Sequence, residues 1–226
     1  MTWLAVAPAW VRQGMGVVLV GGWLALLALA ALLVRRRWSE QLEWSRKLVH
    51  IGGGAVIPLA WICGIDRWLA LPAAALITLL AAINHRQRVL PAIEDVGRHS
   101  FGTVAYGLSI TLLLAWLWPE RADAVCAGVL VMAWGDGLAG LVGPQVASPS
   151  WHVLGERRSL AGTGTMALAS LTVLLLLAAS TRPGAPELPL LLAMAGVATA
   201  LEQVAVLGLD NLTVPLAVSA LWLFSC

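Results

Sequence analysis

Long apolar stretches without charged residues recur along this chain, and they constrain its fold more than any other feature. Of 226 residues, 60% are hydrophobic and only 12% are charged. The uncharged stretches run to about 17 to 20 residues, which is the length that a helix needs to cross a hydrocarbon core of about 30 Å. The sequence therefore predicts an all-α fold, a polytopic bundle of transmembrane helices.

Hydropathy and length predict about seven to eight spans. The connections between them are short, so no segment outside the membrane is long enough to build a core of its own. Residues 1–226 are therefore expected to form a single integral membrane domain. The first span lacks a small-residue cleavage site at a suitable distance, and we interpret it as a retained helix. The spans lie near 17–34, 48–64, 68–83, 101–118, 123–143, 163–180, 188–207 and 212–225.

Basic residues predict the orientation of the bundle. When the loops are taken alternately, most of the 14 lysine and arginine residues fall on one side. The positive-inside rule places that side in the cytoplasm or its organellar equivalent, and tryptophans at span ends are expected to form aromatic belts. The basic residues of the inner side are Arg35, Arg36, Arg37, Arg46, Lys47, Arg86, Arg88, Arg98, Arg157 and Arg158. The expected outer belt comprises Trp61, Trp68, Trp116, Trp118 and Trp222.

Asp136 places a carboxylate inside an otherwise apolar span. An ionisable group at membrane depth is costly and marks a candidate functional site. Four glycines surround it, and they would let backbones approach closely and a ligand reach the carboxylate. Helix packing through small residues is the alternative explanation for the glycines, although it does not explain the acid. The glycines are Gly135, Gly137, Gly140 and Gly143.

Cationic and hydroxyl groups gather at the same predicted face. Arg46, Lys47 and His50 share one face of a helix because of their helical spacing. Cationic side chains that extend to the membrane interface would also explain Arg46 and Lys47. Residues 157–163 form a predicted basic turn that leads into a helix start, where amide donors and arginine forks can bind phosphate. Two inner-side arginines followed by a helix cap explain that segment equally well.

Oxygen ligands follow near the end of the chain. Glu202 lies inside the seventh predicted span, and Asp210 and Asn211 come just before the eighth. Such side chains suit Mg²⁺, which is bound by one or two carboxylates together with substrate phosphates. The acids, cations and hydroxyls together predict a site for an anionic, metal-bound ligand at the cytoplasmic membrane surface.

In their order along the chain, these motifs resemble those of the polyprenol kinase family. The family comprises integral membrane enzymes, among them phytol, farnesol and dolichol kinases and a fungal diacylglycerol kinase, and its members generally prefer CTP. The resemblance covers about residues 46–216 and looks strongest to the phytol kinases of plants and cyanobacteria. The matching segments are Arg46-Lys47-Leu48-Val49-His50, His99-Ser100-Phe101-Gly102-Thr103, the run from Gly135 to Gly143, Arg158-Ser159-Leu160-Ala161-Gly162-Thr163, Glu202, and Asp210-Asn211-Leu212-Thr213-Val214-Pro215-Leu216.

Two positions depart from the family pattern. The family commonly has lysine where Arg158 stands, and often glutamate where Ala161 stands. Arginine can still contact phosphate as a planar fork, so Arg158 is kept as a predicted nucleotide contact. Ala161 cannot serve as an acid or as a metal ligand.

The resemblance implies a CTP-dependent kinase that transfers the γ-phosphoryl group to the primary hydroxyl of an isoprenoid alcohol, with phytol as the first expectation and Mg²⁺ as the cofactor. Such an activity would serve phytol salvage and tocopherol synthesis. Its partners would be the lipid bilayer, the alcohol and a nucleoside triphosphate, without nucleic acid. The resemblance also implies a bacterial or cyanobacterial inner or thylakoid membrane, or a plastid membrane, with the active site on the cytoplasmic side.

The resemblance assigns roles to three groups of residues. The expected catalytic residues are Asp136, Glu202, Lys47 and His50. The expected metal ligands are Asp136, Asp210 and Asn211. The expected nucleotide-binding residues are Arg157, Arg158, Ser159, Gly162, Thr163, Gly135 and Gly140.

Three other activities are consistent with parts of the pattern. A CDP-lipid synthase also uses CTP, Mg²⁺ and a membrane lipid, but its usual closely spaced acidic and basic signature is not apparent in this sequence. A phytyl-phosphate kinase would need a similar site. A small membrane transporter would place intramembrane charges along its path, whereas the outer half of the predicted bundle has few polar groups.

Overall fold

Helices account for nearly all regular structure in the described part of the chain. A computed structural model describes residues 8–87, 100–181 and 184–225. Among these residues, the β-structure is one antiparallel hairpin of two strands. This architecture confirms the predicted helical membrane bundle. The elements are α1 (Ala9–Arg37), α2 (Leu42–Gly54), α3 (Val56–Ile62), α4 (Arg67–Gln87), α5 (Gly102–Leu117), α6 (Ala122–Leu130), a π-helical segment (Val131–Asp136), α7 (Gly137–Gln145), β1 (Ser150–Val153), β2 (Glu156–Ser159), α8 (Leu160–Ser180), α9 (Leu188–Val204) and α10 (Asp210–Phe224).

Each predicted span coincides with a helix or with a run of helices joined end to end. Helices α1, α4 and α8 and the continuous run from α6 to α7 are long and apolar enough to cross a membrane, and α5, α9 and α10 are shorter apolar helices. The predicted limits differ most at two starts, because α1 begins at Ala9 and α2 at Leu42. The first turns of α2 carry charged residues that hydropathy excludes from a span but that have partners inside the protein, as Arg46 has in Glu43.

The run from α6 to α7 lies at the centre of the bundle. Of its most apolar stretch, 56% is buried within the protein, against 11% for α1 and 6% for α4. The π-helical segment touches α2, α8, α9 and α10. The span that carries Asp136 is therefore enclosed by other helices, while α1 and α4 present most of their surface to lipid.

Two of the tryptophans that were expected in the outer belt are core residues instead. Trp118 and Trp222 are fully buried. Their indole N–H groups donate to the Ile65 carbonyl and to the Asp123 carboxylate, each over 2.8 Å. A buried tryptophan needs such a partner, and a sequence alone does not distinguish it from a tryptophan at the membrane surface. Trp68 and Trp116 are exposed, as a belt requires.

The predicted basic turn at residues 157–159 is wrong, because these residues form part of strand β2. The two strands pair in register from Ser150 opposite Ser159 to Val153 opposite Glu156. The connecting residues Leu154 and Gly155 both have positive φ, at 51° and 87°, as a two-residue hairpin turn of type I′ requires. Leucine is an unusual residue in that conformation, so this hairpin turn carries no typical turn motif.

Gly128 sets the distance between α6 and α10, because a methyl group there would overlap the Ser219 hydroxyl and the Pro215 carbonyl. We predict that Gly128→Ala destabilises the protein by about 1–3 kcal/mol, the usual cost of overpacking a core. The measurement is thermal unfolding in detergent, followed by tryptophan fluorescence.

Gly196→Ala is the matched control, since Gly196 lies in α9 with open space where its Cβ would be. This variant should be as stable as the unchanged protein or slightly more so, because alanine favours a helix more than glycine does. Equal unfolding temperatures for the two variants would contradict the close packing at Gly128.

Candidate active site

Three carboxylates from distant parts of the chain meet near one end of the bundle. Asp136 ends the π-helical segment, Glu202 lies in the last turn of α9, and Asp210 begins α10. One oxygen from each carboxylate lies within 4.8 Å of the other two. Glu202 and Asp210 are only 6% and 7% exposed. The structure therefore brings together the three acids that the sequence singled out.

Two cations partly neutralise this cluster. Lys47 Nζ donates to Asp136 Oδ2 over 2.6 Å and to the Asp136 carbonyl over 3.1 Å. The Arg158 guanidinium donates to Glu202 Oε1 and, over 2.9 Å, to the Ala205 carbonyl. Carboxylates at such short range repel one another strongly in a medium of low dielectric constant. With two ion pairs formed, the three acids retain one net negative charge that a bound cation can compensate.

Asn211 holds the third acid in place. Asp210 Oδ1 accepts hydrogen bonds from the Asn211 backbone N–H and from its side-chain amide, both over 3.0 Å. The same amide donates to the Gly208 carbonyl over 3.2 Å. The Asn211 amide group therefore fixes the orientation of Asp210, and its predicted role as a direct metal ligand stays a prediction.

His50 lies between the acid cluster and an apolar wall. Its Nε2 atom is 3.5 Å from Asp136 Oδ2 and 3.3 Å from the Met132 carbonyl oxygen. Its ring packs on Tyr106, with the ring centroids 4.4 Å apart. The Tyr106 hydroxyl is buried and has no hydrogen-bond partner among the described residues. The sequence reasoning missed Tyr106, because a tyrosine in an apolar span carries no motif of its own.

The π-helical segment explains how α2 reaches the acid cluster. Lys47 and His50 contact the carbonyl oxygens of Asp136 and Met132, which both belong to this segment. Backbone groups within a membrane protein need partners because lipid offers none. π-Helical turns are often found at functional sites. Here the wide turn lets side chains of α2 hydrogen-bond to the backbone of the central helix.

The glycines around Asp136 make room for neighbouring helices. A methyl group at Gly140 would overlap Lys47 and lie 2.6 Å from its Nζ atom. A methyl group at Gly135 would lie 2.6 Å from Met166 Sδ and 2.9 Å from Ser170 Oγ. Both glycines therefore have a packing role, and Gly140 leaves the path along which Lys47 reaches Asp136. The predicted nucleotide contact of each glycine stays a prediction.

The N-terminus of α8 uses its amide donors within the protein. Ser159 is the N-cap, and its hydroxyl accepts a hydrogen bond from the Gly162 N–H over 3.2 Å. The two preceding amides donate to the Pro149 carbonyl and to the Ser148 hydroxyl. The capping interpretation of this segment therefore accounts for Ser159 and Gly162, and their predicted phosphate contacts stay predictions.

Thr163 connects α8 to the acid cluster. Its hydroxyl donates to the Ser159 carbonyl over 2.9 Å and accepts from the Gln203 side-chain amide over 2.9 Å. That amide also donates to Glu202 Oε2 over 2.8 Å. Thr163 thus positions Glu202 through Gln203, and a direct nucleotide contact for Thr163 stays a prediction.

A small polar cavity of about 70 Å³ lies against the acids. Glu156 and Arg158 face it from β2, whereas Arg157, which lies between them, is exposed on the opposite face of the strand. The structure therefore separates the two arginines that the sequence grouped together. The sequence reasoning missed Glu156, although alternation along a strand would have paired it with Arg158. The lining residues are Arg46, Lys47, Ser100, Asp136, Glu156, Arg158, Ala205, Leu207, Gly208, Asp210 and Asn211.

A larger apolar cavity of about 410 Å³ begins where the polar cavity ends. Arg46 and Asn211 line both cavities, and His50 lines the apolar one nearby. The walls come from α1 to α5 and are otherwise almost entirely aliphatic. His99, which the resemblance includes, lies outside the described residues. The two cavities together form a charged compartment and an apolar compartment, which meet at Arg46 and Asn211.

The carboxylates fit a divalent metal ion of the Mg²⁺ type. Mg²⁺ prefers oxygen ligands and is bound through one or two carboxylates, with water and phosphate in the remaining positions. Asp136, Glu202 and Asp210 supply such oxygens, and their residual negative charge favours a cation. These residues would hold the ion.

The buried pair of Lys47 and Asp136 can be tested by double-mutant analysis. Lys47→Met and Asp136→Asn should each destabilise the protein by about 3–5 kcal/mol, because each leaves a partner buried without compensation. The double variant should lose clearly less than the sum of the two, since it leaves neither charge alone. Thermal unfolding in detergent measures all three.

Glu120→Gln provides the control, because its pair with Arg67 is largely exposed. Its cost should stay below about 1 kcal/mol, as for other surface ion pairs. Strictly additive effects of Lys47→Met and Asp136→Asn would show that the two side chains are not coupled.

Comparisons with known proteins give one informative relative. No protein-family model matches the chain, and no solved structure matches it. The chain is 38% identical over 225 residues to a Synechocystis protein named phytol kinase, and the alignment covers 96% of this chain and 95% of that protein. Identity at this level over nearly the whole of both chains shows common descent. The chain belongs to the phytol kinase family, within the polyprenol kinases.

Proposed function

We propose that this protein is an isoprenoid alcohol kinase that transfers the γ-phosphoryl group of CTP, with Mg²⁺, to the primary hydroxyl of phytol. The observation that carries the proposal is the junction of the two cavities at Arg46 and Asn211. A kinase that acts on a lipid must bring a charged donor and an oily acceptor to one point. The relative named phytol kinase supports the choice of phytol as acceptor.

The polar compartment suits the phosphates of the nucleotide. Phosphoryl transfer depends mainly on positioning and on neutralising negative charge, with little covalent work for the protein. Arg158 and Lys47 present positive charge to the polar cavity, each held in place by an acid of the cluster. Mg²⁺, when bound by the carboxylates, would neutralise charge on the phosphate oxygens.

The acceptor hydroxyl would lie at the inner end of the apolar cavity. From there it is close to His50, whose Nε2 atom is 3.5 Å from Asp136 Oδ2. The hydroxyl oxygen attacks the γ-phosphorus, its proton passes to the pair of His50 and Asp136, and the bond between the β- and γ-phosphates breaks. The products are the alkyl phosphate and the nucleoside diphosphate. A positioned base of this kind contributes about 10²–10⁴-fold to a reaction rate.

The active site is proposed to face the cytoplasm or its organellar equivalent. Arg158 of β2 and Lys47 of α2 line the polar cavity beside the acids, and three arginines at the end of α1 come shortly before α2 in the chain. Cytoplasmic loops are enriched in such residues. Soluble nucleotide would then reach the polar cavity from the compartment in which it is made, and the product would serve phytol salvage and tocopherol synthesis.

The proposal is tested with purified protein in lipid nanodiscs, Mg²⁺ and γ-labelled CTP, ATP, GTP or UTP. Phytol, farnesol, geranylgeraniol and diacylglycerol are offered in turn. We expect label in phytyl monophosphate, with CTP as the best donor. Label in no lipid product contradicts the kinase function, whereas label only with added phytyl phosphate would identify a phytyl-phosphate kinase.

Asp136→Asn should lower phytol phosphorylation by at least about 10²-fold, because the carboxylate that receives the proton together with His50 is lost. Asp66→Asn is the matched control, because Asp66 is an exposed acid just before α4, remote from the cluster. This control should retain full activity. Near-normal activity of Asp136→Asn, at equal protein levels in the membrane, would remove Asp136 from the mechanism.

Asp210→Asn should raise the Mg²⁺ concentration for half-maximal activity by about tenfold, because fewer charged ligands weaken the binding of a divalent ion. Excess Mg²⁺ should restore part of the rate in this variant, and chelation by EDTA should abolish activity of the unchanged protein. An unchanged Mg²⁺ requirement in Asp210→Asn would exclude that carboxylate as a ligand.

A further inference from the structure

The apolar cavity extends across much of the bundle. Its inner end is lined by Gly102 and its outer end by Leu114, both on α5. At a rise of about 1.5 Å per residue, these positions lie about 18 Å apart along the helix axis. On the facing helix α4, the lining residues from Ala81 to Leu69 cover the same distance. The cavity is thus a long, narrow compartment with its polar opening at the acid cluster.

The outer end of this compartment is narrowed by buried side chains. Ile65 and Leu114 line it there and are 5% and 3% exposed. The Ile65 side chain packs closely against α1 at Gly16, where an added methyl group would lie 2.8 Å from it. A straight tail whose hydroxyl lies at the acid cluster therefore meets buried side chains at a defined depth.

The depth selects a length of acyclic chain. Carbon–carbon bonds of about 1.5 Å advance an extended chain by about 1.3 Å per carbon, so about 14 carbons fill the compartment. This is the main-chain length of alcohols with about three to four isoprene units. A volume of about 410 Å³ is also within the usual range for a pocket that encloses one small lipid-like molecule.

Short side chains line the outer half of the cavity on α4. The lining positions there include Ala70, Ala73 and Ala74, and these small residues leave space for the tail of the alcohol. Helix α1 lines the same cavity with Val17, Val20 and Leu24. The wall of this half is therefore apolar, as an isoprenoid tail requires.

We propose that the apolar cavity measures the tail of the alcohol, so that Ala74 and Leu114 determine which acyclic alcohols are phosphorylated. This inference rests on the proposed kinase function and adds the residues that set the length of the tail, with polyprenols much longer than about four isoprene units disfavoured. Ala74 lines the cavity between its middle and its outer end, and a large side chain there shortens the compartment.

The test compares two adjacent alanines of α4 that differ in the face they occupy. Ala74 lines the cavity, whereas Ala75 is exposed and does not line it. For each variant, kcat/KM is measured with geraniol, farnesol, phytol and geranylgeraniol. In Ala74→Phe the ratio of geraniol to phytol should rise at least about tenfold, because the compartment from Ala81 to Ala74 is about 10.5 Å deep and holds about eight main-chain carbons. In Ala75→Phe it should stay within about twofold.

Leu114→Ala tests the same idea in the opposite direction and does not depend on the folding of Ala74→Phe. Shortening Leu114 deepens the compartment, so the preference should move toward longer alcohols. The same alcohol profile in Ala74→Phe and Ala75→Phe, or no change in Leu114→Ala, would overturn the measuring pocket while leaving the kinase function in place. Phosphorylation of none of these alcohols by the unchanged protein would overturn both.

Discussion

The buried ion pair between Lys47 and Asp136 connects α2 to the central helix, and the rest of the site depends on it. Lys47 is 4% exposed, so its charge requires a partner within the protein. It reaches Asp136 because Gly140 leaves the path open and the π-helical segment presents a carbonyl oxygen beside the carboxylate. With this contact made, His50 lies against the same carboxylate. Loss of the pair would remove the ionic contact between α2 and the carboxylate of Asp136.

The second organising feature is the meeting of two cavities of opposite character. Charged side chains from α2, β2 and α10 enclose the polar cavity, while aliphatic side chains from α1 to α5 enclose the apolar one. Arg46 and Asn211 belong to both walls. An isoprenoid alcohol is dissolved in the bilayer, whereas a nucleotide is dissolved in the water at its surface. An enzyme that uses both needs an apolar and a polar cavity that meet. The fold brings these two environments together without needing a domain outside the membrane.

Much of this arrangement could be predicted from the sequence, because the physics of spans is local. Hydropathy located the helices, and the cost of a charge at membrane depth identified Asp136. The predictions that were wrong concerned features that depend on tertiary contacts. The contrasting environments of Arg157 and Arg158 follow from a hairpin whose turn contains a leucine with positive φ. The packing of Gly140 against Lys47 and the burial of Trp118 depend on contacts between distant parts of the chain. Neither composition nor spacing contains that information.

We propose that the acid cluster serves transfer of the terminal phosphoryl group to a lipid hydroxyl. The most direct measurement supplies purified protein with phytol, Mg²⁺ and CTP labelled either at the α- or at the γ-phosphate, in parallel reactions. We expect label in the lipid product from the γ-position alone, with unlabelled lipid and labelled CDP in the reaction with α-labelled CTP. Label that enters the lipid from the α-position would contradict it, because the protein would then transfer a nucleotidyl group.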